Sequence, residues 1–131
     1  MKKIREKVGE RFITKEYELD KKANVLEIIK ELLSNSVQVG KIEIYEGVER
    51  DMQTINGMDY NVQDFIKEYE YVMRVGNDIS FIVNANYNNM DFYLIIDEQT
   101  NTISMVSDSK NVELDDIMGQ KKNNGLTNGL S

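Results

Sequence analysis

Residues 79–107 read ISFIVNANYNNMDFYLIIDEQTNTISMVS and hold three apolar segments separated by two short polar ones. Every side chain of the central stretch Phe92–Ile96 is apolar or aromatic, so both faces of that segment are apolar, which is typical of a strand in the middle of a sheet. The separators, Asn88–Asn89 and residues 98–101, are too short for a crossover helix, so neighbouring strands must be antiparallel. The predicted strands are Ile79–Tyr87, Asp91–Asp97 and Thr102–Ser107.

Two amphipathic helices are predicted upstream of this three-stranded meander. The first has apolar residues at the i, i+3, i+4 and i+7 positions of residues 25–32, with Asn24 as its N-cap. The second has an apolar stripe through residues 62–73, and Asn61 precedes it as a capping residue. Each helix therefore has one face that it must bury.

The remaining strands are read from period-two alternation and from turn residues. Residues 3–19 alternate about Gly9–Glu10 and predict a hairpin with a two-residue turn. A strand at 37–45 changes its apolar parity at Gly40, which predicts a β-bulge there. Asn56–Gly57 is the dipeptide that type I′ turns prefer, and it predicts a second tight hairpin.

Together these elements predict an α+β fold, a mostly antiparallel sheet with the two amphipathic helices packed on one face. Asn111 is expected to cap a short C-terminal helix that ends at Met118. We expect residues 1–118 to form a single domain. Residues 119–131 have little apolar content and are expected to be a disordered tail.

The composition limits the chemistry that the chain can perform. Cys, His, Pro and Trp are absent, so thiol nucleophiles, imidazole bases and imidazole metal ligands are excluded. Asn84, Asn86 and Asn88 have the spacing of calcium-loop ligands, but the glycine and the bidentate glutamate of that loop are missing, and an Asn-rich turn explains them better. We therefore expect no enzymatic activity, no metal and no cofactor.

The net charge is −7, and its distribution along the chain matters more than its total. Residues 1–22 carry +3, residues 23–120 carry −12 and residues 121–131 carry +2. An acidic body repels phosphate groups, so we expect no direct nucleic-acid binding and no membrane binding. The basic residues 2–7 are not followed by the apolar run of a signal peptide, and a cytoplasmic location is expected.

The acidic residues between positions 43 and 70 are the strongest functional feature of the sequence. Folding would concentrate them if the turns and the second helix lie side by side, and a negative surface attracts a basic protein over long range. Chains similar in size and charge are common among bacterial immunity proteins and phage-encoded inhibitors, although no residue motif carries that similarity. We expect a partner such as a toxin or a nucleic-acid enzyme, which the protein would inhibit. The predicted partner-binding residues are Glu43, Glu46, Glu49, Asp51, Asp59, Asp64, Glu68 and Glu70.

Three other interpretations stay open at this point. The acidic residues are also explained by a surface that only keeps the protein soluble. A structural or assembly protein would form a homodimer through a sheet edge or a helix stripe. A small-ligand-binding module would need a pocket between the sheet and the helices. The residues expected to line that pocket are Phe65, Tyr69, Phe81, Phe92 and Tyr93.

Overall fold

The structure, a computed structural model, describes residues 1–46, 53–75 and 79–118, with the backbone alone for 46, 53–58 and 75. Its strands are β1 (Lys2–Val8), β2 (Ile13–Glu18), β3 (Gln38–Glu46), β4 (Gln53–Tyr60), β5 (Ile79–Tyr87), β6 (Met90–Asp97) and β7 (Thr102–Ser107). Its helices are α1 (Val25–Ser34), α2 (Val62–Val75) and α3 (Leu114–Ile117). In this part of the chain, seven strands form one antiparallel sheet in the order β1-β2-β7-β6-β5-β3-β4. The α+β prediction is confirmed.

The strand register places the fully buried apolar residues of the described strands on one face. Phe81 lies opposite Ile96, and Ile96 lies opposite Ile103, and all three side chains are fully buried. Directly paired residues project from the same side of a sheet, so these rows define an inner face, and the opposite side is the outer face. The buried side chains of α1, α2 and α3 belong to the same apolar cluster as this inner face.

The predicted meander is confirmed, and β6 is the middle strand of the seven. Its residues Phe92, Leu94 and Ile96 are buried on the inner face, whereas Tyr93 and Ile95 on the outer face stay partly exposed. The β5–β6 turn consists of Asn88 and Asn89, with φ values of 50° and 64°. Asn tolerates this left-handed conformation better than most residues, which explains its use at the hairpin tip.

Both predicted helix starts are confirmed by their caps. The Oδ1 of Asn24 accepts a hydrogen bond of 3.1 Å from the N–H of Glu27 at the start of α1. The Oδ1 of Asn61 accepts one of 2.8 Å from the N–H of Asp64 at the start of α2. No helix of the described residues has both the length and the apolar character that crossing a membrane requires.

The N-terminal hairpin and the bulge are also confirmed, with one difference in the turn. β1 and β2 pair antiparallel up to Val8 and Ile13, so four residues connect them instead of two, and the N–H of Gly9 donates to the carbonyl of Phe12 over 2.8 Å. The pairing of β3 with β5 shifts register between Val39 and Ile42, which places the bulge at Gly40–Lys41.

The predicted tight hairpin at Asn56–Gly57 is wrong, because β4 runs through this dipeptide from Gln53 to Tyr60. β4 pairs with β3 on both sides of it, so residues 55–58 stand opposite Ile44 alone. The extra residues are absorbed as an irregularity within one strand, and a continuous partner strand outweighs the local turn preference.

The C-terminal helix is confirmed as α3, but its N-cap is Glu113 and not Asn111. The expected tail at 119–131 lies outside the described residues.

Asn101, in the β6–β7 turn, fastens the segment between β2 and α1 to the sheet. Its φ is 61°, and its Nδ2 donates to the carbonyl oxygens of Leu19 (3.1 Å) and Lys21 (2.9 Å). Its Oδ1 accepts from the N–H of Ala23, and its carbonyl accepts from the N–H of Leu19 over 3.0 Å. One asparagine therefore satisfies four backbone groups of the neighbouring segment.

Two substitutions separate the hydrogen bonds of the Asn101 side chain from the left-handed conformation of its backbone. Asn101→Gly keeps the left-handed backbone and loses the side-chain hydrogen bonds, so we expect it to lower the free energy of unfolding by about 2 kcal/mol. Asn101→Ala loses both and is expected to cost about 1 kcal/mol more. Urea denaturation measures both values, and equal stability of Gly and Ala at this position would contradict the backbone part of this explanation.

Candidate functional site

The structure describes the side chains of five of the eight predicted partner-binding carboxylates. The residues whose side chains are described are Glu43, Asp59, Asp64, Glu68 and Glu70. For Glu46, the last residue of β3, the structure describes the backbone alone. Glu49 and Asp51 lie outside the described residues.

Glu43 and Asp59 form a carboxylate pair on β3 and β4. The two residues are directly opposite each other, and they project from the outer face because their neighbour Ile42 is buried on the inner one. Two like charges in this position destabilise a sheet. The pair is partly offset by Lys41, whose Nζ lies 3.7 Å from a carboxylate oxygen of Asp59.

The carboxylate of Glu43 is held in place by two donors. Its Oε2 accepts from the Nδ2 of Asn84 and its Oε1 from the hydroxyl of Tyr45, each over 3.0 Å. The bond from Asn84 is the main reason that the pKa of Glu43 is lowered, and the Tyr45 bond adds to it against the opposing effect of burial. Glu43 is therefore a fixed negative charge on the outer face.

The second acidic group lies on α2. Asp64 and Glu68 are exposed and one turn apart, and Tyr71 follows at i+7 with 46% of its surface exposed. Burial raises the pKa of Tyr60 on β4, and the negative charge of Glu68 raises it further. The negative charge of Glu68 on α2 therefore lies close enough to influence Tyr60 at the end of β4. Lys67 is the basic residue within this turn.

The two acidic groups project from different surfaces. Phe65 of α2 contacts Phe81 on the inner face, with the ring centroids 5.8 Å apart. Glu43 and Asp59 project from the outer face of β3 and β4. Glu43 and Asp59 therefore do not share one surface with Asp64 and Glu68, and the partner-binding role of the eight carboxylates stays a prediction.

One polar site was missed by the reasoning from sequence. Lys15 of β2 is 1% exposed on the inner face. Its Nζ donates to the carbonyl oxygens of Lys110 (2.6 Å) and Val112 (2.8 Å) and to Oε2 of Glu113 (3.0 Å). The available signal is its position, since Lys15 has the same parity as Ile13 and Tyr17 and must point inward with them.

Glu113 joins this lysine to two further donors. The hydroxyl of Tyr17 donates to Oε1 over 2.8 Å, and the Nζ of Lys3 donates to Oε2 over 3.1 Å. The N–H of Leu114 in turn donates to the Tyr17 hydroxyl over 3.1 Å. An ammonium group has three donors, and all three of Lys15 are used, so this network fastens the segment before α3 to the sheet instead of offering a free amine.

Of the residues of the predicted ligand pocket, Phe92 and Tyr93 border one shallow cavity, and Phe65, Tyr69 and Phe81 are not among the residues that line it. Phe65 and Phe81 are fully buried and stack edge to face, and Tyr69 packs on Phe65 at 5.8 Å. Phe92 points to the inner face and Tyr93 to the outer face. A cleft of about 370 Å³ lies elsewhere, between the start of α1, Ile103 and Met118. The cleft is not lined by the five residues expected to form the pocket. Ligand binding stays a prediction.

Asn84 and Asn86 form hydrogen bonds to neighbouring strands of the sheet. Asn84 donates to Glu43 and to the carbonyl of Lys41, and Asn86 donates to Oδ1 of Asp91 over 2.7 Å. Within the part of the chain that the structure describes, no three acidic side chains come together in a way that could hold a metal ion.

Comparisons with known proteins add no family to these observations. No protein-family model matches the chain, and no curated protein or solved structure matches it significantly. Functional inference therefore rests on the geometry of the chain itself.

The Glu113 network predicts a pH-dependent contribution to stability. Burial by itself would raise the pKa of Glu113, but the hydrogen bonds from Lys15, Tyr17 and Lys3 outweigh it, so the pKa lies below its ordinary value of 4.5. A carboxylate with a lowered pKa in the folded state stabilises the protein above the unfolded-state pKa, and this contribution is lost as the pH falls through the folded-state pKa.

Glu113→Gln is therefore expected to lower the free energy of unfolding by about 2 kcal/mol at pH 7. The difference from the parent protein should shrink as the pH falls below 4.5. Urea denaturation across pH 3 to 7 measures it, and the exposed Glu18→Gln on β2 is the matched control. A constant difference over the whole range would show that ionised Glu113 is not the stabilising form.

Proposed function

We propose that the protein is a non-enzymatic binding protein that docks a basic protein partner on an acidic surface and inhibits it. The −12 charge of residues 23–120 supports this proposal, because a negative surface speeds association with a positively charged partner. A toxin or a nucleic-acid enzyme fits the partner's chemistry, since its cationic site for phosphates accepts carboxylates as well. A cytoplasmic location belongs to the same proposal.

The observation that carries the proposal is the side of α2 formed by Asp64, Glu68 and Tyr71. Protein interfaces are enriched in tyrosine, and a few aromatic anchors supply much of the binding energy, with charged residues around them. Tyr71 is half-exposed and stands one turn from Glu68, so an aromatic anchor and two carboxylates share one surface. The exposed Ile66 lies on another side of the same helix.

The proposal takes α1 and α2 to lie together on the inner face of the sheet, with the acidic side of α2 turned to solvent. The contact between Phe65 and Phe81 supports this arrangement for α2. The absence of His and Cys from the sequence supports the non-enzymatic part, and the deeply buried amine of Lys15 has all its donors engaged.

The first test identifies the partner at this surface. A photo-crosslinking residue in place of Tyr71 is expected to capture one basic protein in the native host. The same residue in place of Phe12, an exposed aromatic at the β1–β2 turn, is expected not to capture it. Mass spectrometry of the cross-linked product reads out both variants.

The second test uses the purified partner and charge reversal. Asp64→Lys with Glu68→Lys is expected to weaken binding by about 100-fold, since close charge pairs at interfaces contribute several kcal/mol. It should also reduce the inhibition of the partner and flatten the dependence of affinity on salt.

A control variant with Glu10→Lys and Asp108→Lys changes the net charge by the same amount at two exposed loop positions. Equal losses in both double variants would mean that net charge alone matters. An unchanged affinity in the α2 variant would contradict the proposed site.

A further inference from the structure

Two shallow cavities adjoin on the outer face of the sheet, near the β1–β2 turn. Their volumes are about 330 Å³ and about 380 Å³, within the range of about 300–1,000 Å³ that is usual for small-molecule sites. Asn84, Ala85 and Asp91 border both cavities, so the two form one continuous trough, called the Asp91 trough below. The first cavity is also lined by Phe12, Phe92, Tyr93 and Val106, and the second by Gln38, Val39, Gly40 and Asn86.

The polar side chains of the Asp91 trough come from β5 and β6, which pair in register. Asn86 lies opposite Asp91, and Asn84 lies opposite Tyr93. Paired residues project from the same side of a sheet, and alternate residues of one strand are about 7 Å apart. Two amides, a carboxylate and a phenol therefore surround one small area of the outer face.

Asp91 supplies an exposed carboxylate to this area. Its Oδ1 accepts a hydrogen bond of 2.7 Å from the Nδ2 of Asn86. Among the described residues, no lysine or arginine nitrogen lies within 4.0 Å of this carboxylate. A carboxylate has about four acceptor positions, so Asp91 can accept hydroxyl groups in addition to the amide of Asn86.

Asn84 is held in one orientation by two bonds from its Nδ2. They go to the Oε2 of Glu43 and to the carbonyl oxygen of Lys41, each over 3.0 Å. The Oδ1 of Asn84 takes no part in either bond and is an acceptor at a fixed position. The carbonyl of Lys41 belongs to the bulge in β3, and bulges are over-represented beside functional sites because they redirect nearby groups.

An exposed aromatic ring lies at the β7 end of the Asp91 trough. Phe12 is 53% exposed, and its carbonyl accepts from the N–H of Gly9 over 2.8 Å, which holds the turn that presents the ring. An aromatic face next to fixed acceptors matches a pyranose ring, since the sugar has an apolar C–H face and hydroxyl groups along its rim.

We propose that the Asp91 trough binds a neutral oligosaccharide. One sugar ring stacks on Phe12 and donates its hydroxyl groups to Asp91 and Asn84. The next ring occupies the adjoining cavity beside Asn86. Acidic sugars are disfavoured, because the negative charges of Asp91 and of the nearby Glu43 repel a carboxylate.

This inference goes beyond the proposed function and does not depend on it. The Asp91 trough lies on the outer face, whereas the proposed acidic surface lies on α2, whose Phe65 packs on the inner face. Absence of sugar binding would leave the α2 surface untouched. Failure of the α2 cross-link would leave the trough untouched.

Phe12→Trp gives a direct readout of sugar binding, because the chain contains no tryptophan. The substitution keeps an aromatic face at the trough, and its fluorescence should change when a sugar ring covers it. The probes are maltotriose, cellotriose and chitotriose, three neutral trisaccharides. At least one should give a saturable change with a dissociation constant of about 1 mM, since a shallow site covers only part of its ligand. Ile66→Trp, at an exposed position of α2, is the matched control and should show no change.

Nuclear magnetic resonance of the ¹⁵N-labelled full chain locates the site. The trisaccharide that binds should shift the amide signals of residues 84–86 and 91–93. Asp91→Asn and Phe12→Ala should each weaken its binding by about tenfold, through a lost charged acceptor and a lost stacking surface. Glu18→Gln removes a charge at an exposed position of β2 and should bind as the parent protein does. Trigalacturonic acid should bind at least tenfold more weakly than the neutral probe.

Three results would overturn the proposal. One is the absence of any change with all three neutral trisaccharides at about 20 mM, a concentration that would saturate a site of the expected affinity. Another is binding that survives both Asp91→Asn and Phe12→Ala, which would place the sugar elsewhere. The third is tighter binding of trigalacturonic acid than of the neutral probes. Circular dichroism establishes that each variant is folded, and Phe12→Ala removes only an exposed side chain, so the test does not depend on Asp91→Asn alone.

Discussion

The structure depends on the register that keeps the fully buried apolar residues of the described strands on one face. Leu94 of β6 lies between Val83 of β5 and Met105 of β7, and all three are fully buried. A slip of one residue in any of these pairings would turn a whole row of side chains to the opposite face. The buried side chains of the helices belong to the same apolar cluster as this face. Neither α1 nor α2 is long enough to be stable alone in water.

Lys15 is a charged residue that the strand register places on the inner face. The register of β2 directs Lys15 to the inner face between Ile13 and Tyr17, and a buried ammonium group is costly unless it is fully hydrogen-bonded. The carbonyl oxygens of residues 110 and 112 and the carboxylate of Glu113 meet that requirement. These hydrogen bonds fasten the segment between β7 and α3 to β2.

The binding surface proposed on α2 combines an aromatic anchor with two carboxylates. Asp64 and Glu68 are exposed one turn apart, and the half-exposed Tyr71 lies on the same side of the helix. A basic partner would therefore meet an apolar contact and two negative charges together.

Apart from β4, the sequence by itself determined the type and order of the elements. Alternation in residues 79–107, the helical stripes behind Asn24 and Asn61 and the parity change at Gly40 are local signals, and the structure agrees with each. The turn predicted at Asn56–Gly57 is wrong because the turn preference of this dipeptide is a local property. Its pairing with β3 on both sides depends on a distant part of the fold. Lys15, Glu113 and the order of the seven strands were decided only by the tertiary structure. A residue such as Glu113 meets its partner across 98 positions of the chain, and no local pattern records which distant group a buried charge will find.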